Sequence, residues 1–202
     1  TLMAAYGYYS QLYFMDAIYE LERFLDKYKN HPNTDYAYYL LAICHYNQIV
    51  DEKKDLGEII KAKTYFNLLI KEYPNTDFSE DAKFKIELIE EILASKELYL
   101  AKYYLDREKW IPAMNRYKKI VNQYDTTIFI EEALYRLVEL NYKLGLMEEA
   151  KKYTVLLGYN YQSSKWYERS YIILNKNYKN RKAKKDLKKQ NSLLKKIKGL
   201  FD

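Results

Sequence analysis

Residues 97–161 contain one pattern of small and large side chains twice, the second copy displaced from the first by 37 residues. The corresponding positions in the two copies are Leu100 and Leu137, Ala101 and Val138, Tyr104 and Asn141, Ala113 and Ala150, Tyr117 and Thr154, and Ile120 and Leu157. In each copy two small residues are 12 positions apart, a spacing typical of two helices that cross closely where those residues lie. The stretch therefore predicts a helical hairpin repeated in tandem.

A tandem helical hairpin with this spacing is typical of tetratricopeptide repeats, in which large apolar residues fill the groove beside each close crossing. One hairpin cannot bury its own apolar face, so several hairpins must stack into a solenoid. The composition agrees, because 49% hydrophobic residues with 5 Gly and 3 Pro favour long helices over a turn-rich β fold. We predict an all-α, right-handed tetratricopeptide-repeat solenoid with one long shared helix.

Turn signals allow the repeats to be counted. The tetrapeptide Pro-Asn-Thr-Asp occurs at 32–35 and again 42 residues later at 74–77. Tyr73 has counterparts at Tyr124 and Tyr161, at intervals of 51 and 37 residues. The first two intervals are clearly longer than a repeat of about 34 residues, so each must contain an insertion.

Each insertion has a structural interpretation. A charged loop over residues 51–58 accounts for the first. The second falls in residues 78–107, which contain no Gly or Pro and therefore predict a single helix of about eight turns. Such a helix would form a rigid joint between two repeat halves.

We therefore predict four segments. An N-terminal repeat half (1–77) is followed by the long bridging helix (78–107). A C-terminal repeat half with a closing helix (108–174) precedes a basic amphipathic tail (175–202). Because the first residues already resemble helix interior without a capping residue, we expect the sequence to be a fragment of a longer protein.

The tail carries the positive charge of the chain. Residues 175–202 have a net charge of +9, whereas the whole chain has +6. Apolar residues recur at helical spacing in the tail, which favours a basic helix on an anionic membrane or an acidic partner; a solvated, frayed tail is the alternative. The candidate contact residues are Lys184, Lys185, Lys188, Lys189, Lys195 and Lys196. Without aromatic residues among these lysines, we do not expect nucleic-acid binding.

No pattern in the sequence indicates catalysis. His31 and His45 share no metal-ligand spacing with cysteine or acidic residues, and no glycine-rich phosphate loop or nucleophile elbow occurs. Cys44 lies in an apolar run, so we interpret it as a packing residue rather than a reactive thiol. We therefore expect a binding protein, not an enzyme, with no cofactor and no metal.

Several stretches resemble a known family. They are Glu131 to Glu139, Leu144 to Leu146, Glu148 to Lys151, Leu157 to Tyr161 and Ser164 to Tyr167. Together they resemble the BamD family, the lipoprotein subunits of the bacterial outer-membrane β-barrel assembly machinery, in its alphaproteobacterial form. The resemblance implies a periplasmic repeat protein that a lipid on an N-terminal cysteine anchors to the outer membrane. Residues 1–202 contain neither the lipobox nor that cysteine, and we expect that a first repeat precedes them in the full-length protein.

The resemblance also implies partners. Family members bind a POTRA domain of the barrel-forming subunit BamA through their C-terminal repeats and associate with other lipoproteins of the machinery. The matching residues here are Arg107, Trp110, Asn115 and Arg116. Arg116 is the expected ion-pair partner of a POTRA carboxylate, because the planar guanidinium suits a bidentate contact. A solvated helix position is the alternative for Arg116.

The N-terminal repeats of the family are similar to peptide-binding grooves and are thought to recognise unfolded barrel precursors, which end in aromatic residues. The residues of this chain that would line such a groove are Tyr6, Tyr9, Tyr39 and Tyr46. Core packing is the alternative role for each of them. The competing hypothesis for the whole chain is a generic repeat adaptor of the cell envelope or cytoplasm that docks peptides or partner proteins.

Overall fold

The computed structural model describes residues 1–48 and 56–175. These residues form nine α-helices and no strand. The helices are α1 (Leu2–Ser10), α2 (Phe14–Lys27), α3 (Thr34–Tyr46), α4 (Gly57–Glu72), α5 (Asp77–Asp106), α6 (Trp110–Gln123), α7 (Ile130–Lys143), α8 (Met147–Asn160) and α9 (Lys165–Leu174). The prediction of an all-α, tetratricopeptide-like repeat fold is confirmed.

The helices belong to two compact units that divide within α5, between Leu100 and Ala101. In the N-terminal unit (residues 1–100), α1 packs on α2, α2 on α3, and α3 on α4. Its core is formed by Ala5, Ala17, Ile18, Leu21, Phe24, Ala37, Leu40, Leu41 and Cys44. Each large side chain buried there contributes about 1.5–3 kcal/mol relative to an exposed position, so the stacked hairpins hold one another together.

Helix α3 is covered on several sides, as its nearly continuous apolar sequence predicts. Its residues from Leu40 to Cys44 are all buried. Burial also raises the pKa of the Cys44 thiol to about 12, so at neutral pH the thiol is protonated and unreactive. The interpretation of Cys44 as a packing residue is confirmed.

One loop boundary differs from the sequence prediction. The charge pattern predicts Glu58 in a loop, but α4 begins at Gly57, so Glu58 lies in its first turn. An acidic side chain is favourable there because the helix N-terminus carries partial positive charge. The Glu58 carboxylate also accepts a hydrogen bond from Lys61 at 2.9 Å and lies 2.6 Å from the His45 ring.

In the C-terminal unit, which begins at Ala101, α6 packs on α7, α7 on α8, and α9 on both α7 and α8. The four small residues that mark the close helix crossings are fully buried: Ala101, Ala113, Val138 and Ala150. Gly145 follows α7 with φ +76°, a left-handed conformation that favours glycine. The sequence pattern in this unit therefore corresponds to real helix contacts.

Helix α5 has 30 residues. Among the described helices, none combines the length and the apolarity needed to cross a membrane. The basic tail from residue 176 onward, including the six candidate lysines Lys184, Lys185, Lys188, Lys189, Lys195 and Lys196, lies outside the described residues.

Candidate protein-binding sites

A cluster of aromatic rings lies on α1, α3 and α5 of the N-terminal unit. The Tyr36 ring lies 5.4 Å from that of Phe78, and the Tyr39 ring lies 5.2 Å from it, measured between centroids. On α1, the Tyr6 and Tyr9 rings are 6.5 Å apart, and Tyr6 is 50% exposed. Alternate helices of the stack thus share one aromatic face, which we call the tyrosine face.

Electrostatics link the tyrosine side chains of this face. Burial, as the largest effect, raises the pKa of Tyr39; its hydrogen bond to Asp81 and the nearby Tyr9 and Tyr36 hydroxyls raise it further. The Tyr39 hydroxyl donates to Asp81 Oδ2 at 2.7 Å. Because this bond fixes the phenol, Tyr39 is a rigid half-buried floor of the face rather than a mobile contact.

The four tyrosines expected in a groove are not all joined. Tyr6, Tyr9 and Tyr39 belong to the tyrosine face. Tyr46 is half-buried, and its ring has the Lys85 ammonium 5.5 Å from its centroid. Within the described part of the chain, no ring contact connects Tyr46 to the other three.

Sequence reasoning missed two members of the tyrosine face, Tyr36 and Phe78. They are 42 residues apart, the same interval that separates the two Pro-Asn-Thr-Asp turns. Both follow such a turn at the start of a helix, so the repeat register could have identified them. Asp81 gave no such signal, because an acidic residue in the first turns of a helix is usual.

In the C-terminal unit, the turn between α5 and α6 holds Arg107 in a fixed position. The Arg107 guanidinium carbon lies 3.7 Å from the centroid of the Tyr103 ring, and Nη1 donates to the Tyr103 carbonyl at 3.3 Å. The turn is tight: Glu108 has φ 56°, and the Lys109 amide donates to the Tyr104 carbonyl at 2.9 Å. Arg107 is exposed, so its charge is presented to solvent in a defined orientation.

The other three residues expected at a POTRA contact lie on α6. Trp110 is the first residue of α6 and is half-buried. Asn115 is exposed, whereas Arg116 is half-buried and already interacts within the chain. Arg116 lies about 9 Å along the helix from Trp110. The structure therefore brings Arg107 and Trp110 to one turn, with Asn115 and Arg116 farther along α6.

A ladder of charges connects α5 to α7. Lys102 pairs with Glu132 at 3.0 Å, and Arg136 pairs with Glu139 at 2.8 Å. Burial is the main cause that raises the pKa of Tyr117, and the charges of Arg136, Glu132 and Glu139 also influence it. Because both carboxylates are paired with cations, they form a structural network and not a pair of catalytic acids.

Among the described residues, no group of three or more His, Cys, Asp or Glu side chains is arranged to hold a metal ion. The surfaces that remain are helical faces carrying half-buried aromatic rings and exposed cations. Such faces on stacked helical hairpins define a repeat protein of the kind that binds other proteins.

Comparisons with known proteins identify the family. Residues 1–156 match the sequence model of the family YfiO, described as outer membrane lipoprotein. A relative from Rickettsia prowazekii is 39% identical over 179 residues, which make up 89% of this chain and 71% of the relative. A relative from Caulobacter vibrioides is 37% identical over 176 residues, 87% of this chain and 58% of the relative. A third, from Neisseria gonorrhoeae, is 32% identical over 152 residues, 70% of this chain and 57% of the relative.

All three relatives are named outer membrane protein assembly factor BamD. The chain belongs to the BamD family of outer membrane lipoproteins. It spans 57–71% of the length of these three relatives. The resemblance seen in the sequence, including its alphaproteobacterial character, is confirmed.

Proposed function

We propose that this chain is the repeat region of a non-enzymatic scaffold subunit that takes part in outer membrane β-barrel protein assembly. The observation that carries the proposal is the family match over residues 1–156, which reaches into both compact units. The relatives' shared name, an assembly factor, supports a scaffold rather than a catalyst. The family description as outer membrane lipoprotein supports a lipid-anchored, full-length protein at the periplasmic face of that membrane.

The C-terminal unit binds a POTRA domain of the barrel-forming subunit BamA. Its contact residues are Arg107, Trp110, Asn115 and Arg116. The orientation of Arg107 supports this assignment, since its guanidinium is held against Tyr103 and loses little freedom when it pairs with a carboxylate. Arg116, on α6, supplies a second cation. Trp110 lies between the two arginines in the sequence and provides an aromatic anchor.

Charge reversal tests this surface. Arg107→Glu and Arg116→Glu should each weaken binding to the POTRA domains by about 1 kcal/mol or more, because each places like charges opposite one another. Lys152→Glu is the matched control, because it reverses one charge at a 73% exposed side chain on α8, a helix that carries none of the four contact residues.

Isothermal titration calorimetry gives the affinities, and circular dichroism establishes that each variant keeps its helices. Losses that do not exceed that of Lys152→Glu would remove Arg107 and Arg116 from the interface. If only one of the two substitutions weakens binding, the interface includes that arginine and not the other.

The tyrosine face of the N-terminal unit recognises the aromatic C-terminal segment of an unfolded barrel precursor. Its rings offer flat apolar area, and exposed Tyr6 leaves part of that area open. The rigid floor at Tyr39 and Phe78 lowers the entropy lost when a peptide binds.

The test uses a peptide ending in phenylalanine and the same peptide ending in alanine, followed by fluorescence polarisation. Tyr6→Ser should weaken binding of the first peptide about fivefold, the loss of one aromatic contact. The control is Tyr19→Ser, because Tyr19 is 62% exposed on α2 and lies under Arg23. Equal affinity for the two peptides, or an equal effect of the two substitutions, would rule out the tyrosine face as the recognition site.

A further inference from the structure

Helix α9 builds a surface that the functions proposed above do not use. Trp166 is half-buried, and its ring lies 5.1 Å from that of Tyr135 on α7. On the same helix the Arg169 guanidinium lies 5.0 Å from the Trp166 ring centroid, and the Lys165 ammonium lies 5.8 Å from it. We call Tyr135, Lys165, Trp166 and Arg169 the α9 surface. All four residues belong to the C-terminal unit, and α9 lies beyond residue 156, where the family match ends.

The α9 surface is held rigidly on the unit. Ser164 caps α9: its hydroxyl accepts a hydrogen bond from the Trp166 amide at 3.1 Å and donates one to the Glu131 carboxylate on α7. Trp166 and Tyr167 also pack against the core formed by Ile130, Leu134 and Leu157. A partner would therefore meet a preformed arrangement of rings and cations, with little ordering cost.

The two cations of the α9 surface have no acidic partner among the residues that the structure describes. Other cations of this unit have a carboxylate close by, as in the pair of Lys151 with Glu148 at 2.7 Å. Within the described residues, neither Lys165 nor Arg169 lies within salt-bridge distance of an acidic side chain. Both are exposed, so their charge is open to a partner.

A second hydrogen-bond donor lies near Arg169. Burial raises the pKa of the Tyr135 hydroxyl, as does Glu139, while the charges of Arg136 and Arg169 act in the opposite direction. The Tyr135 ring and the Arg169 guanidinium lie against the same indole, at 5.1 and 5.0 Å from the Trp166 ring centroid. Within the described chain, the Tyr135 hydroxyl makes no hydrogen bond that would occupy it. A guanidinium and a phenol donor beside a flat indole suit one carboxylate next to an extended chain.

We propose that the α9 surface docks an acidic segment of a partner protein, with one carboxylate bound between the Arg169 guanidinium and the Tyr135 hydroxyl. Lys165 contacts a second acidic residue of that segment, and the segment's backbone lies on Trp166. Charge complementarity identifies the occupant, because the α9 surface presents two exposed cations, Lys165 and Arg169, beside an indole ring. A lipid surface is a poorer fit, because Trp166 is half-buried against the core formed by Ile130, Leu134 and Leu157, so only part of its ring is open for insertion.

Trp166 provides a local readout, since the chain has 2 tryptophans and Trp110→Phe leaves only Trp166 in the full chain. The probe is a synthetic peptide of alternating glutamate and serine, added at physiological salt. Binding should change the Trp166 fluorescence in a saturable way. Arg169→Glu should weaken that binding about tenfold or more, the value of a charged hydrogen bond. Arg169→Lys should lie between wild type and Arg169→Glu, because it keeps the charge and loses the planar fork.

The matched control is Lys152→Glu, which changes the net charge equally at a 73% exposed side chain on α8. It should leave the peptide affinity within about twofold of wild type, as surface pairs contribute little. Equal losses in Arg169→Glu and Lys152→Glu would overturn the proposal, because binding would then follow net charge alone. A Trp166 response to phosphatidylglycerol vesicles but not to the peptide would also overturn it, in favour of lipid. Thermal unfolding by circular dichroism verifies that both variants are folded.

Discussion

The packing of α9 against α8 depends on the absence of a side chain at Gly158. A Cβ atom added there would lie 2.7 Å from Tyr167 Cε2 and 3.0 Å from Tyr167 Cζ, well inside van der Waals contact. Gly158→Ala therefore forces the Tyr167 ring away from α8. Tyr167 packs against the core of the unit. Its displacement therefore disturbs the packing of α9 and the arrangement of the α9 surface.

Two effects of opposite sign determine how much Gly158→Ala changes the free energy of unfolding. Alanine is favoured over glycine within a helix by about 0.5–1 kcal/mol, whereas overpacking costs about 1–3 kcal/mol. Gly7→Ala isolates the helix-forming effect from overpacking, because a Cβ atom at Gly7 in α1 meets nothing within 4 Å. Gly7→Ala should therefore stabilise the protein, and Gly158→Ala should be less stable than Gly7→Ala by about 1–3 kcal/mol.

Denaturant unfolding monitored by circular dichroism gives both free energies. The double variant Gly158→Ala with Tyr167→Ala should be no less stable than Tyr167→Ala alone, because the ring that clashes is gone. If Gly158→Ala stabilises as much as Gly7→Ala, the ring does not approach α8 as described. Additive effects in the double variant would refute the clash equally, since they would show that the two positions do not interact.

Two further predictions concern buried and titrating groups. Burial raises the pKa of the Cys44 thiol to about 12. At pH 8 the thiol should therefore react with a thiol reagent about a hundredfold or more slowly in the native protein than in the unfolded protein. Labelling of the native protein at the unfolded rate would show that α3 is open. Hydrogen bonds from Lys61 and then from His45 lower the pKa of Glu58 from its ordinary 4.5. Glu58 therefore adds stability above that value, and the contribution is lost as the pH falls through its folded-state pKa. The stability difference between wild type and Glu58→Gln should shrink below pH 4.5, and a difference that grows there would contradict the assigned contacts.

Helix spacing was the part of the fold most accessible from the sequence. The interval of 12 residues that marks Ala101 and Ala113 also separates Ala5 and Ala17, and all four residues are fully buried. Small residues at close helix crossings follow from geometry alone, because a larger side chain would force the helices apart. The long helix was also accessible, since 30 residues without a helix breaker form α5.

The candidate surfaces were less accessible, for a physical reason. Tyr36 and Phe78 could have been found from the repeat interval of 42 residues, because repeated positions share one face of the stack. The contact of Trp166 with Tyr135 could not, because α9 packs on both α7 and α8 at an angle that no periodicity encodes. Similarly, the position of Arg107 against the Tyr103 ring depends on a tight turn with positive φ at Glu108. Glutamate rarely adopts positive φ, so the sequence did not indicate this turn.

Helical spacing also cannot say which partner a face binds. The POTRA residues Arg107 and Arg116 and the groove residues Tyr6 and Tyr9 entered through family resemblance, and their roles stay predictions. The structure adds the pre-positioning of Arg107 and the shared tyrosine face. Those features determine which substitutions test the roles most cleanly.

A scaffold of outer membrane protein assembly must bind other subunits of the assembly machinery in the cell envelope. The most direct measurement is affinity purification of the tagged, full-length protein from its own cell envelope, with quantitative mass spectrometry of what is retained. We expect the POTRA-bearing, barrel-forming subunit BamA to be recovered in near-equimolar amount, and to be depleted by Arg116→Glu but not by Lys152→Glu. Recovery of the full-length protein without that subunit, under conditions that preserve the envelope complex, would show that the protein is not a scaffold of this machinery.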